Sequence, residues 1–349
     1  MRCLTLADAL RERGASCYFV CRAHPGNLLD LIRQRGYEAD ALPLSEDQTI
    51  SDHAQSEPLP AHSSWVGTDW ATDAQQTLAA LGDVPADWLI VDHYGLDARW
   101  EHRLRPVCRR LMVIDDLADR SHHCDLLLDQ NLGRRTTDYH DLVPAGCTVL
   151  AGPKYALLRP EFPALRPDSL ARRASPQLKN LLITMGGIDK NNATLKVLDA
   201  LRDCALPEDS RITVVMGVHA PWLEQVRALA ATLPWPTEVR INISDMAQVM
   251  ADSDLAIGAA GSTSWERCCL GLPTLLVVQA ENQWAGARAL QTQGAALLIG
   301  EPSVIQQKLA ATLTPLLTER HLAEMSFAAR AVTDGQGACR VVQHMERQP

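Results

Sequence analysis

Residues 254–283 constrain the fold more than any other part of the chain. Two short apolar runs, at 255–257 and 274–278, have the length and composition of buried strands. Between them lie a turn of small residues at 258–261 and a short helical pattern that begins at 262–264 and ends at Gly271. Because two strands joined through a helix form a parallel βαβ unit, this segment predicts a parallel sheet covered by helices.

The turn within this segment has the features of an anion-binding loop. Backbone N–H groups at a helix start, flanked by the hydroxyls of Ser262 and Thr263 and free of bulky side chains, favour negative charge. Glu266 lies within the first turn and is placed to take a sugar hydroxyl, as the acidic residue of a nucleotide-binding βαβ unit takes a ribose hydroxyl. The segment therefore predicts a nucleoside diphosphate site, although a helix cap of this composition is also a common structural feature.

The same alternation of strand and helix patterns runs along most of the chain and is typical of parallel α/β architecture. In the first half we predict helices at 4–13 and 27–35, a strand at 17–22, a surface excursion at 45–68, and a helix that Asp73 caps and that ends at Leu81. In the second half we predict a helix at 192–201 and strands at 180–184, 211–216, 238–241, 254–257, 274–278 and 296–299.

Three further apolar runs have one feature in common: each of them ends in a carboxylate residue. The runs lead into Asp92, into the pair Asp115 and Asp116, and into Asp129. The carboxyl ends of parallel strands form the ligand crevice of a doubly wound sheet, so these carboxylates are candidates for contact with a substrate. A helix cap is the alternative role for each of them.

Composition excludes several classes of protein. A chain of 349 residues is long enough for two domains, and a net charge of −9 with a pI near 5.7 argues against nucleic-acid binding. The ten cysteines show no metal-binding spacing and indicate reduced thiols in a cytoplasmic protein. No apolar run approaches the ~20 residues of a membrane span. We predict no metal and no cofactor, and we interpret His122 and His123 as solvated loop residues.

The domain organisation is indicated by a proline- and arginine-bearing stretch at 160–178, which we interpret as a hinge. It separates an N-terminal Rossmann-like domain at 1–159 from a C-terminal Rossmann-like domain at 178–330, with a C-terminal helix at 331–349. Each domain has a glycine-rich or acidic sheet edge, and the predicted site is the cleft that the two edges face.

Several motifs, taken in order, carry a resemblance to a known family. The chain resembles the UDP-2,4-diacetamido-2,4,6-trideoxy-β-L-altropyranose hydrolases of pseudaminic acid biosynthesis, which are relatives of glycosyltransferases with the two-Rossmann-domain type B fold. The matching segments are MRCLTLADALRERG at the start, HPGN at 24–27, VDHYGLDARW at 91–100, IDDLADRSHHCDLLLDQNL at 114–132, GPKYALLRPEF at 152–162, ITMGGIDKNN at 183–192, GAAGSTSWERCCLGLPTL at 258–275 and QAENQ at 279–283.

The resemblance implies metal-independent hydrolysis of a UDP-linked sugar, in which water replaces UDP at the anomeric carbon. The diphosphate would lie on backbone N–H groups at two turns, where helix N-termini favour negative charge. Glu266 would hold the ribose hydroxyls, while Tyr94 and Asn282 would contact the sugar. Asp92 and either Asp115 or Asp116 could orient a water or an acetamido N–H. The residues of the two turns are Gly186, Gly187, Gly261, Ser262 and Thr263.

Alternatives stay open for two of these assignments. The alternative role of Tyr94 is a capping core tyrosine, and the alternative role of Gly186 with Gly187 is a tight turn without a ligand. The oligomeric state is also open, with a monomer as the expectation.

One departure from the family concerns the start of the chain. The family begins with a strand, a glycine-rich turn and a Gly-His pair, whose histidine is its presumed general base, just ahead of the segment that opens here at Met1. A doubly wound domain also starts with a strand, whereas this chain starts in a helical pattern. We therefore expect either a start site further upstream or a truncated paralogue, and we nominate no other histidine as the base.

Two other functions fit the same residues. One is transfer of the sugar from UDP to an acceptor by a glycosyltransferase of the same fold. The other is sugar-nucleotide binding by a truncated, non-catalytic protein.

Overall fold

The computed structural model describes residues 1–44, 59–82 and 85–347. Within them the chain divides into two compact units, the first comprising Met1–Leu157 with Ala338–Pro349 and the second Leu158–Gly337. Both units are built from parallel strands and helices in alternation. No helix in the described ranges combines the length and apolarity that a membrane crossing requires.

The first unit contains two parallel sheets among its described residues. Strands β1 and β2 form one sheet, and the other has the order β3-β4-β5-β6. The elements are α1 (Arg2–Arg11), β1 (Tyr18–Arg22), α2 (Leu29–Gln34), β2 (Glu38–Leu42), α3 (Trp70–Leu81), β3 (Ala86–Val91), α4 (Ala98–Leu104), β4 (Cys108–Ile114), β5 (Leu126–Asp129) and β6 (Thr148–Ala151).

The core of the first unit lies on both faces of its larger sheet. Along β4, Leu111 and Val113 pack on one face and Met112 and Ile114 on the other, as the two-residue period of a strand requires. A strand buried on both faces has a continuous apolar run, which is why this segment is recognisable in the sequence.

The second unit contains a single six-stranded sheet of order β12-β11-β10-β7-β8-β9, in which every pairing is parallel. Its elements are α5 (Glu161–Arg172), β7 (Asn180–Thr184), α6 (Ala193–Leu201), β8 (Arg211–Met216), α7 (Leu223–Ala230), β9 (Thr237–Ile241), α8 (Met246–Asp252), β10 (Leu255–Ala259), α9 (Thr263–Cys269), β11 (Thr274–Val277), α10 (Trp284–Thr292), β12 (Leu297–Gly300), α11 (Ile305–Leu313) and α12 (Glu319–Val332).

The order of strands in this sheet defines where a ligand is expected. The chain builds outward from β7 through β8 to β9, and then returns to the other side of β7 with β10. The reversal between β7 and β10 is a topological switch point, and ligands of doubly wound sheets bind outside the carboxyl ends of the strands at such points.

The C-terminal helix α13 (Gly337–Glu346) packs on the first unit. Its side chains Val341, Val342 and Met345 join the core that contains Met112 and Ile114. The chain therefore returns to the first unit after completing the second.

Two expectations from the sequence differ from the structure, and a third lies partly outside the described residues. Helix α5, which belongs to the second unit, fills most of the stretch interpreted as a hinge. Helix α3 begins four residues earlier than predicted and is capped by Asp69, whose side chain accepts from the N–H groups of Ala71 and Thr72. Asp73 instead lies buried in an ion pair with Arg22. Part of the predicted excursion, 45–58, lies outside the described residues.

Candidate functional site

The carboxyl ends of β3, β4 and β5 bring the predicted carboxylates of the first unit together; we call Asp92, Asp115, Asp116 and Asp129 the acidic edge. Arg2, at the start of α1, links two of them. Its guanidinium donates to both Asp92 oxygens at 2.6 and 3.0 Å and to Asp116 at 2.6 Å. Burial of Asp92 opposes ionisation, but the hydrogen bonds and charge of Arg2 outweigh it and lower the pKa of Asp92.

Tyr94 lies at the same edge and donates its hydroxyl to Asp116 at 2.5 Å. Burial is the main cause that raises the pKa of Tyr94, so the hydroxyl stays protonated. Its ring is half-buried and lies 6.1 Å from the ring of Trp65, which is 55% exposed. Tyr94 is thus held by a carboxylate and an aromatic neighbour, a geometry compatible with both of the roles predicted for it.

The two remaining carboxylates of the acidic edge are fully buried. Asp115 accepts from Arg120 at 2.9 Å, and the Tyr139 hydroxyl lies within hydrogen-bond distance of both Asp115 and Asp129. Burial opposes the ionisation of Asp115, but the charge of Arg120 leaves its pKa lowered. Burial raises the pKa of Asp129 to about 6 despite its contact with Arg134.

The prediction that His122 and His123 are both solvated is wrong for His122. Its side chain is fully buried, and its Nδ1 lies 2.6 Å from a carboxylate oxygen of Glu101. The same carboxylate accepts from the N–H of His123. The pair therefore ties α4 to the segment before β5. Within the described ranges, no group of three or more His, Cys, Asp or Glu side chains is arranged to hold a metal.

At the switch point of the second unit, one turn comes directly after β7 and another directly after β10; we call the residues 185–187 and 260–263 the glycine edge. Gly186 has a φ of +85°, and both Gly186 and Gly187 are exposed. A Cβ on Gly217 would lie 2.0 Å from the carbonyl oxygen of Gly187, so the turn after β8 approaches this turn closely. The second turn contains the predicted residues Gly261, Ser262 and Thr263.

Two glutamines connect the turns of the glycine edge. Gln279 donates through its side chain to the carbonyl of Met185 at 3.1 Å, and its own N–H donates to the Gln283 side chain at 2.9 Å. The Gln283 amide nitrogen lies 3.7 Å from the position of a Cβ on Gly261. The structure therefore brings the 183–192, 258–275 and 279–283 motifs to one place, although neither glutamine is singled out by the sequence.

The second turn of the glycine edge leaves backbone donors available. Ala260 donates to Val277 in the sheet and Ser264 donates to Gly261, whereas the N–H groups of Gly261, Ser262 and Thr263 have no partner in the part of the chain that the structure describes. Ser262 occupies the cap position of α9 without a side-chain capping bond. The loop thus presents three donors and an exposed hydroxyl.

Glu266 is half-buried on α9, and its carboxylate has neither a hydrogen bond nor an ion pair with any residue of the described ranges. Burial raises its pKa, and the charge of Arg159 opposes that effect. The hydrogen-bonding capacity of the Glu266 carboxylate is therefore unused among the residues that the structure describes.

Asn282 is exposed in the short turn between β11 and α10. A cavity of about 370 Å³ lies beside it and is lined by Lys196, Gln279, Trp284 and Glu301 among others. Asn282 thus belongs to the same short segment as Gln279 and Gln283, the two residues that lie against the glycine edge.

Comparison with solved structures identifies the architecture. The structure resembles that of Acinetobacter baumannii MurG with a TM-score of 0.67 at 18% identity, over 99% of this chain and 95% of that one. The chain therefore has the glycosyltransferase B type of fold, with two Rossmann-like domains. Residues 185–339 match the family model described as the glycosyltransferase family 28 C-terminal domain.

Comparison with curated sequences identifies relatives of this chain. The spore coat polysaccharide biosynthesis protein SpsG of Bacillus subtilis is 31% identical over 57% of this chain and 58% of its own length. The UDP-2,4-diacetamido-2,4,6-trideoxy-beta-L-altropyranose hydrolase of Campylobacter jejuni is 28% identical over 59% of this chain and 71% of its own length. The chain spans 44% of an archaeal relative. It is thus a distant homologue of enzymes that act on UDP-sugars.

Proposed function

We propose that the chain is a cytoplasmic enzyme that hydrolyses a UDP-linked 6-deoxy diacetamido sugar, UDP-2,4-diacetamido-2,4,6-trideoxy-β-L-altropyranose, to UDP and the free sugar. The observation that carries the proposal is the glycine edge at the switch point of the second unit. Its three N–H donors and the carboxylate of Glu266 beside it have no partner among the described residues. Together these supply complementary partners for a diphosphate and for a ribose diol.

In this proposal the diphosphate accepts from the backbone around Gly186, Gly187 and Gly261 and from Ser262 and Thr263. These donors stabilise the charge that develops on UDP as it leaves, which is the largest task in cleaving a glycosyl phosphate. Glu266 accepts from the ribose hydroxyls. Asn282 contacts the sugar beside the adjoining cavity.

The reaction breaks the bond between the anomeric carbon and the phosphate oxygen, whose electrons leave with UDP. A water oxygen bonds to the carbon, and its released proton passes to the departing UDP or to solvent. We propose that Asp92 or Asp116 orients that water, with Tyr94 contacting the sugar. Both carboxylates are partly exposed, at 24% and 14% of their side chains. Asp115 is the weaker candidate because its side chain is fully buried and paired with Arg120.

Glycosyl transfer is the second candidate, since a transferase of Hahella chejuensis that acts on UDP-N-acetylglucosamine is 33% identical over 51% of this chain and 52% of its own length. The hydrolase is preferred because the 91–100 and 114–132 motifs resemble the hydrolases. Binding without turnover is the third possibility. All three functions share UDP recognition by the second unit, and they differ in the fate of the sugar once the nucleotide is bound.

The deciding experiment is to incubate the purified chain with the UDP-diacetamido sugar alone and to measure UDP release. A hydrolase releases UDP and free sugar in equal amounts without an acceptor. Release that requires an added acceptor would support transfer instead. Calorimetric binding of UDP with no turnover in either mixture would support the non-catalytic function, and absence of UDP binding would contradict all three.

A further inference from the structure

Arg267 is among the most completely buried large side chains of the molecule, with 1% of its surface exposed. Its guanidinium donates through Nη2 to the carbonyl of Ala259 at 2.7 Å and to the Ser264 hydroxyl at 3.0 Å, and through Nη1 to the Thr263 hydroxyl at 3.4 Å. Its Nε has no partner in the described structure. The side chain therefore lies directly beneath the β10–α9 turn.

The guanidinium of Arg267 forms no ion pair with any carboxylate of the described ranges, so its charge is not neutralised by direct contact. Burial lowers the pKa of Arg267 to about 10, which leaves it protonated at neutral pH. An unpaired buried charge is costly to stability. This cost falls when an anion lies on the turn above the guanidinium.

The contacts of Arg267 also decide what the two hydroxyls can do. A guanidinium has only donors, so Thr263 and Ser264 must accept from it, and their own protons must point to other acceptors. Gly258 makes room for this arrangement, since a Cβ there would lie 2.5 Å from Nη1. The Thr263 hydroxyl is half-buried at the turn, and its own proton is free to be donated to a ligand there.

We propose that Arg267 is the positioning residue for the diphosphate: it holds the 259–264 turn in its ligand-ready shape, directs the Thr263 hydroxyl outward as a donor, and supplies a buried positive charge that the diphosphate neutralises. This inference rests on the proposed binding of UDP by the second unit. If the inference holds, loss of Arg267 weakens the binding of phosphate-bearing ligands selectively. Uridine carries no negatively charged group that would interact with the guanidinium at the turn.

The test measures the affinities of the full chain for UDP, UMP and uridine by calorimetry at one ionic strength. We expect Arg267→Met to weaken UDP at least tenfold and to leave uridine within twofold, with UMP in between. Arg267→Lys keeps the charge but loses the planar donor set, so it should recover part of the UDP affinity.

Arg173 provides a matched control in the same unit. It too is buried, has a pKa that burial lowers to about 10 and leaves its Nε unpartnered in the described structure. It donates to the carbonyls of Met250, Ala251 and Ser253, before the amino end of β10 rather than after its carboxyl end. Arg173→Met should therefore destabilise the fold as Arg267→Met does, yet leave UDP affinity within twofold.

The outcomes separate the two proposals. If the unmodified chain does not bind UDP, the proposed function fails and this inference fails with it. If the chain binds UDP but a folded Arg267→Met variant binds it within twofold, or loses uridine as strongly as UDP, the inference alone is overturned. If Arg267→Met does not fold, Thr263→Val is measured in its place. We expect this variant to lose UDP affinity severalfold and to keep its uridine affinity. An unchanged UDP affinity would contradict the role of Arg267.

Discussion

The acidic edge of the first unit and the glycine edge of the second unit both lie at the carboxyl ends of parallel strands. They differ in whether their charged and polar groups have partners. At the acidic edge each of the four carboxylates is paired: Arg2 holds Asp92 and Asp116, while Asp115 and Asp129 contact Arg120 and Arg134. At the glycine edge, Arg267 and Glu266 have no ion pair in the described part of the chain, and three backbone N–H groups are free.

The difference indicates how each edge is used. Groups that satisfy one another hold their positions and contribute to folding, whereas unsatisfied groups cost stability until a ligand completes them. Sites where a folded protein leaves polar or charged groups without partners are expected to be functional sites. We therefore expect UDP to be recognised at the glycine edge. Substitutions at the acidic edge should change the free energy of unfolding more than they change UDP affinity.

The largest expected effect comes from removing the cation of the acidic edge. Arg2→Met leaves Asp92 and Asp116 without a cationic partner, although Tyr94 still donates to Asp116, and stranding buried charges costs ~3–5 kcal/mol. Because the side chains of these residues are 14–24% exposed, we expect a loss of about 3–4 kcal/mol in the free energy of unfolding, measured in urea. UDP affinity should be unchanged. The double variant with Asp92→Asn should recover part of the loss; equal instability of both variants would refute the pairing argument.

A second prediction uses two buried carboxylates that contact the same hydroxyl, that of Tyr139. The pKa of Asp129 is raised to about 6, so the folded chain holds a proton that the unfolded chain releases near its ordinary value. Its contribution to stability is thus present below pH ~4 and lost as pH rises through 6, by up to about 3 kcal/mol. Asp129→Asn should abolish this decline in unfolding free energy measured between pH 4 and 7.

Asp115 gives the opposite sign and serves as the control. Its folded pKa is lowered, so its contribution is present above the unfolded value and is lost as pH falls. Asp115→Asn should therefore flatten the acid side of the profile and leave the decline toward pH 7 in place. Identical pH profiles for the two variants would show that these carboxylates titrate together rather than separately.

The sheet of the second unit could be predicted from sequence because its strands are short apolar runs with clear ends. The predicted bounds of strands β7 and β8 are those that the structure gives. Strands β2 and β6 are absent from the prediction: β2 is mostly exposed and carries Glu38 and Asp40, and β6 has only four residues. A strand at the margin of a sheet lacks the two-sided burial that makes central strands recognisable.

The candidate site was predictable where one local motif contains it and not where distant segments meet. The turn residues and Glu266 belong to one strand–turn–helix pattern. Gln279 and Gln283 could be found only through the motif at 279–283, whose contact with Met185 depends on the strand order. The sequence likewise gives no sign that Arg2 pairs with Asp92 and Asp116, because these partners are separated by 90 and 114 positions.

A third prediction tests the unpaired acid of the glycine edge. If Glu266 holds the ribose diol, Glu266→Gln should weaken UDP binding by ~1–3 kcal/mol, since a ligand hydroxyl loses a charged acceptor. Stability should change little, because the carboxylate has no partner in the described structure and a first-turn acid contributes only ~0.3–1 kcal/mol. Glu224, an exposed first-turn acid of α7, provides the control Glu224→Gln, for which UDP affinity should not change. A large loss of stability with unchanged UDP affinity would make Glu266 structural.

The smallest expected effect compares two helix caps, one in each unit. Asp69 accepts from two backbone N–H groups at the start of α3, so Asp69→Ala should cost ~1 kcal/mol in unfolding free energy, the usual value of a filled cap. Ser262 occupies the same position on α9 but makes no capping bond, so Ser262→Ala should cost less than about 0.5 kcal/mol. Its hydroxyl is instead available to UDP, and its removal should weaken binding by ~1 kcal/mol, as expected for one neutral hydrogen bond. Calorimetric titration and urea unfolding of both variants decide the matter: a Ser262→Ala variant that loses stability and keeps its UDP affinity would show that this hydroxyl serves the helix rather than the ligand.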